Sequence, residues 1–376
     1  MARAAVITGD PFNNVPENIF EKMGSKLHTR PDHPLCIIKE AIHGYFDTRF
    51  GAGTFAKLDD LHPLVSTAQN FDQVLVPPDH VSRSPNDTYY VDANTVLRCH
   101  TSAHQVETLR SGRSAFLITG DVYRRDAIDA THYPVFHQME GVRVFTPAEW
   151  QAAGAADGTA HAAAELKSTL EGLARHLFGN VDIRWQDTYF PFTDPSFEME
   201  IFFNGQWLEV LGCGVMQQSI LDGAGGEGKR AWAFGLGLER LAMVLFGIPD
   251  IRLFWSSDER FTRQFKAGSF KAGGAGTKFS SFSKYPPCLK DVSFWLPDGD
   301  AFTENNLCEV VRSVAGDLAE EVKLIDEFLN KKTGRTSRCY RVVYRSMERS
   351  LTDEEINALQ SEVRTRMVNQ LKVELR

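Results

Sequence analysis

Apolar residues at Ile38, Ile42, Tyr45 and Phe46 recur every three or four positions after Pro31 and Pro34, which predicts a helix over 35–50. Over 61–81 the text turns strand- and turn-like, punctuated by Pro63, Pro77 and Pro78. A helix is expected over 102–109 and a strand over 115–119. Residues 146–163 are rich in Ala and Gly with few bulky apolar groups and read as a surface connection, followed by a helix over 164–178. Strands are expected over 182–189, 198–203 and 206–211. The last two are joined by Asn204-Gly205, a hairpin signal because both turn positions need positive φ.

Composition shifts at 266–284, where Lys, Ala, Gly and Ser dominate, so this stretch reads as a linker or a mobile surface loop. Beyond it come a strand over 290–296, a helix over 305–318, strands over 322–329 and 338–347, a helix over 353–369 and a last strand over 373–376. Thr352 and Glu355 open the second of these helices as a capping box. The order βαββαβ is the ferredoxin-like split unit, which by itself implies no function.

The composition, 43% hydrophobic and 24% charged over 376 residues, is that of a globular chain long enough for two or three domains. No apolar run approaches the ~18 residues a membrane span needs, so no membrane role is expected. Six scattered cysteines lack any CxxC pair and read as reduced, mostly buried thiols. No targeting peptide is read in residues 1–10. A net charge of −8 argues against non-specific coating of nucleic acid. Residues 331–349 oppose that sign, with seven basic residues against Glu348 alone. A solvated strand face and a phosphate-binding face both fit this run.

Two segments carry candidate chemistry. In Gly235-Leu-Gly-Leu-Glu-Arg240-Leu-Ala-Met, two glycines allow close backbone approach and an apolar-faced helix follows. Arg240 falls near the helix start, where the dipole disfavours a cation, so a buried arginine serving a nucleotide phosphate is one reading. A core helix with a surface Glu-Arg pair is the other. In Asp121-Val-Tyr-Arg124-Arg125-Asp126, followed by a loop and His132-Tyr-Pro-Val-Phe136-His137-Gln138-Met-Glu140-Gly141, the groups suit ATP and an amine. Arg124 would clamp the α-phosphate, Phe136 would stack on adenine and Glu140 would pair with an ammonium. His100 and His104 have helix-face spacing, but no Glu follows as in HExxH and no third ligand is evident, so metal ligation is not expected.

Together these segments resemble motifs 2 and 3 of class II aminoacyl-tRNA synthetases. The stretch from Asn70 to Pro77, running to His80, resembles the motif 1 region of the phenylalanyl-tRNA synthetases. His100-Thr-Ser-Ala-His-Gln105 and Tyr189-Phe-Pro-Phe192-Thr-Asp-Pro-Ser196 resemble phrases of that family. The likeness covers nearly the whole chain, and phrases such as Phe302-Thr-Glu-Asn-Asn306 lean towards the plant and algal organellar branch. Val81 stands where the family usually has Pro.

The resemblance implies an α+β fold, a class II antiparallel sheet flanked by helices plus a C-terminal ferredoxin-like βαββαβ domain. It implies a catalytic domain over 1–265, a linker over 266–282 and an anticodon-binding domain over 283–376. It implies a monomer working with ATP, Mg²⁺, phenylalanine and tRNA-Phe in a mitochondrion or chloroplast. Arg124, Arg240 and His132 would then serve catalysis at the phosphates. His100, Ser102, Gln138 and Glu140 would orient the carboxylate and ammonium of phenylalanine. Ala103, His104, Gln105, Thr131, Tyr133, Met139 and Glu209 would line the same pocket, with Phe190 and Phe192 meeting the substrate ring edge-to-face. Ala233, Phe234 and Gly235 would close it. Arg338, Arg341 and Arg345 would contact RNA beside bases met by Tyr340 or Tyr344.

The chemistry so implied has no protein nucleophile. A phenylalanine carboxylate attacks the ATP α-phosphorus, and the terminal 2′-hydroxyl of the tRNA then attacks the mixed anhydride. An apolar pocket rejects an added hydroxyl only about 10²-fold. The C-terminal stretch is taken up by the anticodon unit, which leaves no room for an editing module, so uncorrected tyrosyl-tRNA is expected. Two other classes fit parts of the chain. A synthetase-like regulator usually loses the motif arginines or the tRNA domain, and a bare RNA-binding protein would have no use for Arg240 or a phenylalanine pocket.

Overall fold

The computed structural model describes residues 3–271, 276–281, 285–297, 299 and 302–376. In chain order its elements are α1 (Glu17–Phe20), α2 (Pro34–Phe50), β1 (Ala56–Leu58), β2 (Leu64–Ser66), α3 (Thr67–Asn70), β3 (Tyr90–Asp92), β4 (Thr95–Leu97) and α4 (Gln105–Arg110). Next come β5 (Ala115–Tyr123), β6 (Val135–Phe145), α5 (Pro147–Ala152), α6 (Gly158–Phe178), β7 (Ile183–Phe190), β8 (Thr193–Phe203), β9 (Gln206–Met216), α7 (Gln218–Gly223), β10 (Arg230–Gly237), α8 (Leu238–Phe246) and α9 (Glu259–Thr262). The remainder is β11 (Cys288–Trp295), α10 (Glu304–Ala315), β12 (Ala319–Leu329), β13 (Thr336–Tyr344), α11 (Asp353–Leu371) and β14 (Glu374–Leu375).

Seven strands form one sheet in the order β1-β5-β6-β10-β9-β8-β7, antiparallel except for β1 beside β5. The Asn204-Gly205 turn closes β8 onto β9 with φ of 50° and 84°, as both turn positions require. Helices α2, α6 and α8 pack against this sheet, burying Ile38, Ile42 and Phe46, Leu166 and Leu170, and Leu241 and Leu245 against Met139, Met199 and Trp232. β2, β4 and β3 make a small separate sheet.

The stretch 146–163 is not the plain connection expected. Thr146 and Glu149 form a capping box on α5 with Pro147 at its first turn, and Asp157 caps α6 by accepting from Thr159 and Ala160. Alanine-rich text is good helix material once caps are present. The expected linker is anchored in its described parts. Lys278 Nζ donates to the Leu245 carbonyl and the Phe279 N–H to the Phe246 carbonyl, each at 2.6 Å, so they meet carbonyls that α8 leaves open at its end. Residues 272–275 and 282–284 of that stretch lie outside the described residues.

The C-terminal sheet has the order β12-β13-β11-β14, with α10 and α11 on one face over Val292, Phe294, Tyr340, Val342 and Tyr344. This is the βαββαβ arrangement, and Thr352 and Glu355 do form a capping box on α11. Its core admits one residue from far upstream, Ile128, which is 7% exposed. Burying such a side chain contributes on the order of 2 kcal/mol. The Val322 N–H donates to the Ile128 carbonyl at 2.9 Å, and Arg312 donates to the carbonyls of Asp126 and Ala127. Tyr133 Oη donates to Asp317 at 2.6 Å. The C-terminal unit thus grips the loop between β5 and β6.

Candidate active site

The period of two along β6 sends Phe136, Gln138 and Glu140 to one face and His137 and Met139 to the other. Opposite the first set the neighbouring strands carry little: Gly235 pairs with Glu140, Gly237 with Gln138, and Gly212 of β9 with Gly235. With no side chains there, the sheet opens into a cavity of about 810 Å³. Gly212 also admits the Phe190 ring, since a Cβ would lie 2.7 Å from it. Phe190 and Phe192 stand parallel, 5.6 Å apart with 4° between their planes, along one wall.

The same cavity also has a polar, unsatisfied lining. His100 Nδ1, Gln105 Oε1, Gln138 Oε1 and Glu140 Oε1 are all buried without a hydrogen-bond partner, and all four residues line the cavity. Ser102 Oγ donates to the other oxygen of Glu140. Burial raises the Glu140 carboxyl to about 7 despite that bond. Burial, with the Arg124 charge beside it, lowers His100 to about 3, so this imidazole is neutral. Buried polar groups left open cost ~1–3 kcal/mol each, and several facing one space mark a place for a polar ligand.

Arg124, just after β5, donates through Nε to the Cys99 carbonyl at 2.8 Å, and its guanidinium lies 5.1 Å over the Phe136 ring. No acid pairs with it among the described residues. Burial lowers its pKa, which marks a cation short of solvent and of a counter-ion. Arg240, on the first turn of α8, is not buried as expected. Its side chain is 54% exposed and its nearest acid oxygen is Glu209 Oε2 at 3.6 Å. Both guanidiniums line the cavity with Thr131, His132 and Tyr133. His132 Nδ1 lies 2.6 Å from Asp129, at the cavity mouth.

Ala233, Phe234, Gly235 and Glu209 line the cavity as expected, together with Ser102 and Gln105. Three expected residues do not. Met139 is fully buried in the main core because strand alternation turns it away. Ala103 packs with Val65 and Phe71 in a small cluster. His104 is held between Arg98 at 2.9 Å and Glu107 at 2.6 Å, on a short 3-10 turn rather than the α-helix expected from 102. Residues the sequence reading left out also reach the cavity: Asp87, Asp126, Gly212, Tyr189 and Asn305. The Gly-Cys-Gly text of β9 could have flagged Gly212 as a close approach. Asn305 comes from α10 and donates to the Asn86 and Arg125 carbonyls, a meeting no local pattern announces.

The cationic C-terminal segment differs from its reading. Tyr340 and Tyr344 are fully buried, because they share the helix-facing side of β13 with Val342. Neither is placed to stack on a base. Arg338 is paired with Glu327 at 2.7 Å, Arg341 with Asp291 by two bonds of 2.8 Å, and Arg345 with Glu320 at 3.2 Å.

A sheet of this topology with an open, glycine-floored cavity and two arginines at its rim is the frame of a class II aminoacyl-tRNA synthetase. Residues 24–265 match the tRNA synthetases class II core domain (F), and residues 283–376 match the ferredoxin-fold anticodon binding domain. A chloroplastic/mitochondrial phenylalanine–tRNA ligase of Arabidopsis thaliana is 66% identical over 98% of this chain and 83% of its own length. Mitochondrial phenylalanine–tRNA ligases of Dictyostelium discoideum and Mus musculus are 49% and 48% identical, over 96% and 97% of this chain and 89% and 86% of theirs. The chain belongs to the phenylalanine–tRNA ligases, in the form that carries the catalytic core and the anticodon-binding fold on one polypeptide.

Proposed function

We infer that the chain activates phenylalanine with ATP and transfers it to tRNA-Phe in an organelle, a mitochondrion or chloroplast, working as a monomer. One observation carries the amino-acid half: the parallel pair Phe190 and Phe192 lines one cavity together with four unsatisfied polar atoms. An apolar ring with an ammonium and a carboxylate is complementary to both. Glu140, beside Ser102, takes the ammonium; Gln138, Gln105 and neutral His100 take the remaining polar edge. Phe136 stacks on adenine and the Arg124 guanidinium beside it meets the α-phosphate, while Arg240 and His132 meet the outer phosphates.

In the first step a carboxylate oxygen of phenylalanine bonds to the α-phosphorus and the bond to the β-phosphate oxygen breaks, releasing pyrophosphate. In the second, the terminal 2′-hydroxyl oxygen bonds to the carbonyl carbon, AMP leaves, and the hydroxyl proton goes to the leaving phosphate or water. The residues work by placement and by charge where phosphate charge grows. Glu198 and Glu209 are wall carboxylates of the kind a hydrated Mg²⁺ prefers, so the site fits the metal that accompanies ATP. That ion supplies further positive charge at the phosphates when bound.

The RNA half belongs to the C-terminal unit, and we place the domain limits at 1–265, 266–282 and 283–376. Its helix-free sheet face carries Trp295 and Phe328, with Arg376 5.3 Å and 5.6 Å over their rings and Arg335 5.1 Å over Trp295. The exposed Phe328 and half-buried Trp295, interleaved with guanidiniums, suit unstacked anticodon bases better than the buried Tyr340 and Tyr344. Arg341 would lie on that face, whereas Arg338 has the parity of Tyr340 and reaches RNA only from the strand's other side, over Phe302.

The test is phenylalanine-dependent ATP–pyrophosphate exchange, with and without tRNA. Arg240→Ala should abolish exchange while leaving the circular dichroism spectrum unchanged; near-normal exchange would sink the assignment. Pure enzyme should also form Tyr-tRNA slowly and leave it intact, and rapid hydrolysis of pre-formed Tyr-tRNA would overturn the expectation that this product goes uncorrected.

A further inference from the structure

Arg240 is the less constrained of the two cavity arginines, with more than half its side chain in solvent and one distant acid. Its aim must therefore come from the backbone that carries it. The preceding residue, Glu239, is 2% exposed, and its carboxylate takes two bonds from one residue of β6. Oε2 accepts the His137 backbone N–H at 2.8 Å, and Oε1 lies 2.7 Å from His137 Nδ1. Against a carboxylate, Nδ1 is the protonated nitrogen. His137 is wholly buried and sits between Phe136 and Gln138, both on the cavity face.

We propose that Glu239 and His137 are positioning residues, a two-point clamp that fixes the first turn of α8 to β6 and so sets Arg240 where the ATP phosphates lie. Successive residues on a helix point about 100° apart, so the clamp can face the strand while Arg240 faces the cavity. A buried carboxylate and imidazole are a poor way to gain stability, since apolar residues of similar volume do as well or better. What they give instead is direction: two bonds to a rigid central strand leave α8 no freedom to slide or rotate. His28, 5.1 Å from the His137 ring, backs it from the other side.

The inference rests on the reading that Arg240 holds ATP phosphates, and the test separates the two. Glu239→Gln replaces two charge-assisted bonds by weaker neutral ones, the second kept only if His137 moves its proton to Nε2, and should cut kcat/KM for ATP in pyrophosphate exchange about 10²-fold, the usual effect of an ångström of misplacement. Phenylalanine affinity, read by calorimetry, should stay within about twofold, because the groups assigned to it lie on β6 and on the 100–105 segment rather than on α8. In an Arg240→Ala background, with ATP affinity as the common readout, Glu239→Gln should add almost nothing, since the clamp acts through that arginine. His137→Asn keeps a side-chain donor near the Nδ1 position and should retain most activity, whereas His137→Leu should not. This second pair decides the matter should Glu239→Gln fail to fold. Independent, additive losses, or equal losses of ATP and phenylalanine binding, would overturn the clamp. Normal ATP use by Arg240→Ala alone would overturn the site reading beneath it.

Discussion

Two sets of arginines divide this molecule. In the cavity of the core sheet Arg124 has no acid partner among the described residues and Arg240 has only Glu209 at 3.6 Å. On the C-terminal sheet Arg338, Arg341 and Arg345 each have an acid within 3.2 Å. Along the chain the second set looked the more cationic, a run of seven basic residues against one acid. In space its charge is answered from β11 and β12, whose Asp291, Glu320 and Glu327 come from distant text. Local charge counting therefore points away from the groups with most capacity left for phosphate. An uncompensated guanidinium in a cavity is the stronger signal of anion binding.

The comparison is broken most easily at Arg124. Arg124→Ala should lower pyrophosphate exchange about 10³-fold, in line with removing a charge-stabilising donor from an acyl- or phosphoryl-transfer site. Thermal stability should change little, because the side chain makes one hydrogen bond, to the Cys99 carbonyl. A loss below tenfold would mean that lacking an acid partner is no guide to function here.

Glu140 gives the next largest effect. Glu140→Gln should raise the phenylalanine KM roughly 10- to 100-fold, the loss of one charge-assisted bond. Burial holds this carboxyl near 7 in the free protein, so the wild-type phenylalanine KM should rise as pH falls through 7 and the group takes a proton. The stability of the ligand-free protein moves the other way. With the folded pKa raised above the unfolded one, the native state binds the extra proton between about 4.5 and 7, and stability falls as pH rises through that window. The change is on the order of 3 kcal/mol. Glu140→Gln should flatten both profiles, and thermal melts at pH 5 and 8 with KM measured from pH 6 to 8.5 will read them.

How much of this was legible in the text depended on range. The Asn204-Gly205 hairpin, the Thr352 and Glu355 capping box and the βαββαβ order are settled by residues within a few positions of one another, and each formed as written. The residues of the cavity segment 132–141 were legible but not its two faces: Met139 was grouped with its neighbours although a period of two turns it into the core. The same period in Tyr340, Val342 and Tyr344 placed the two tyrosines under the helices. α5 was missed because Ala and Gly content was weighed above the Thr146 and Glu149 cap. Ile128 inside the C-terminal core and Asn305 at the cavity lie beyond any local rule, since each depends on how two separately folded sheets meet.

The smallest effect bears on the second arginine set, and there the sign matters more than the size. Arg341 and Asp291 form a bidentate pair on an exposed sheet face, where solvent screening leaves it little weight in stability. If the acid holds the guanidinium's charge in check, Arg341→Ala should raise the tRNA KM by about threefold or less and lower the salt dependence of tRNA binding by less than one phosphate contact. Asp291→Asn should do the reverse, freeing the guanidinium and tightening tRNA binding by a similar factor. Exchange without tRNA should be unchanged in both, because neither residue approaches the cavity. Opposite signs in the two variants would establish that the acids on β11 and β12 tune the RNA face rather than merely decorate it. A loss above 10²-fold in Arg341→Ala, or weakening in both variants, would place the C-terminal arginines beside those of the cavity and dissolve the contrast.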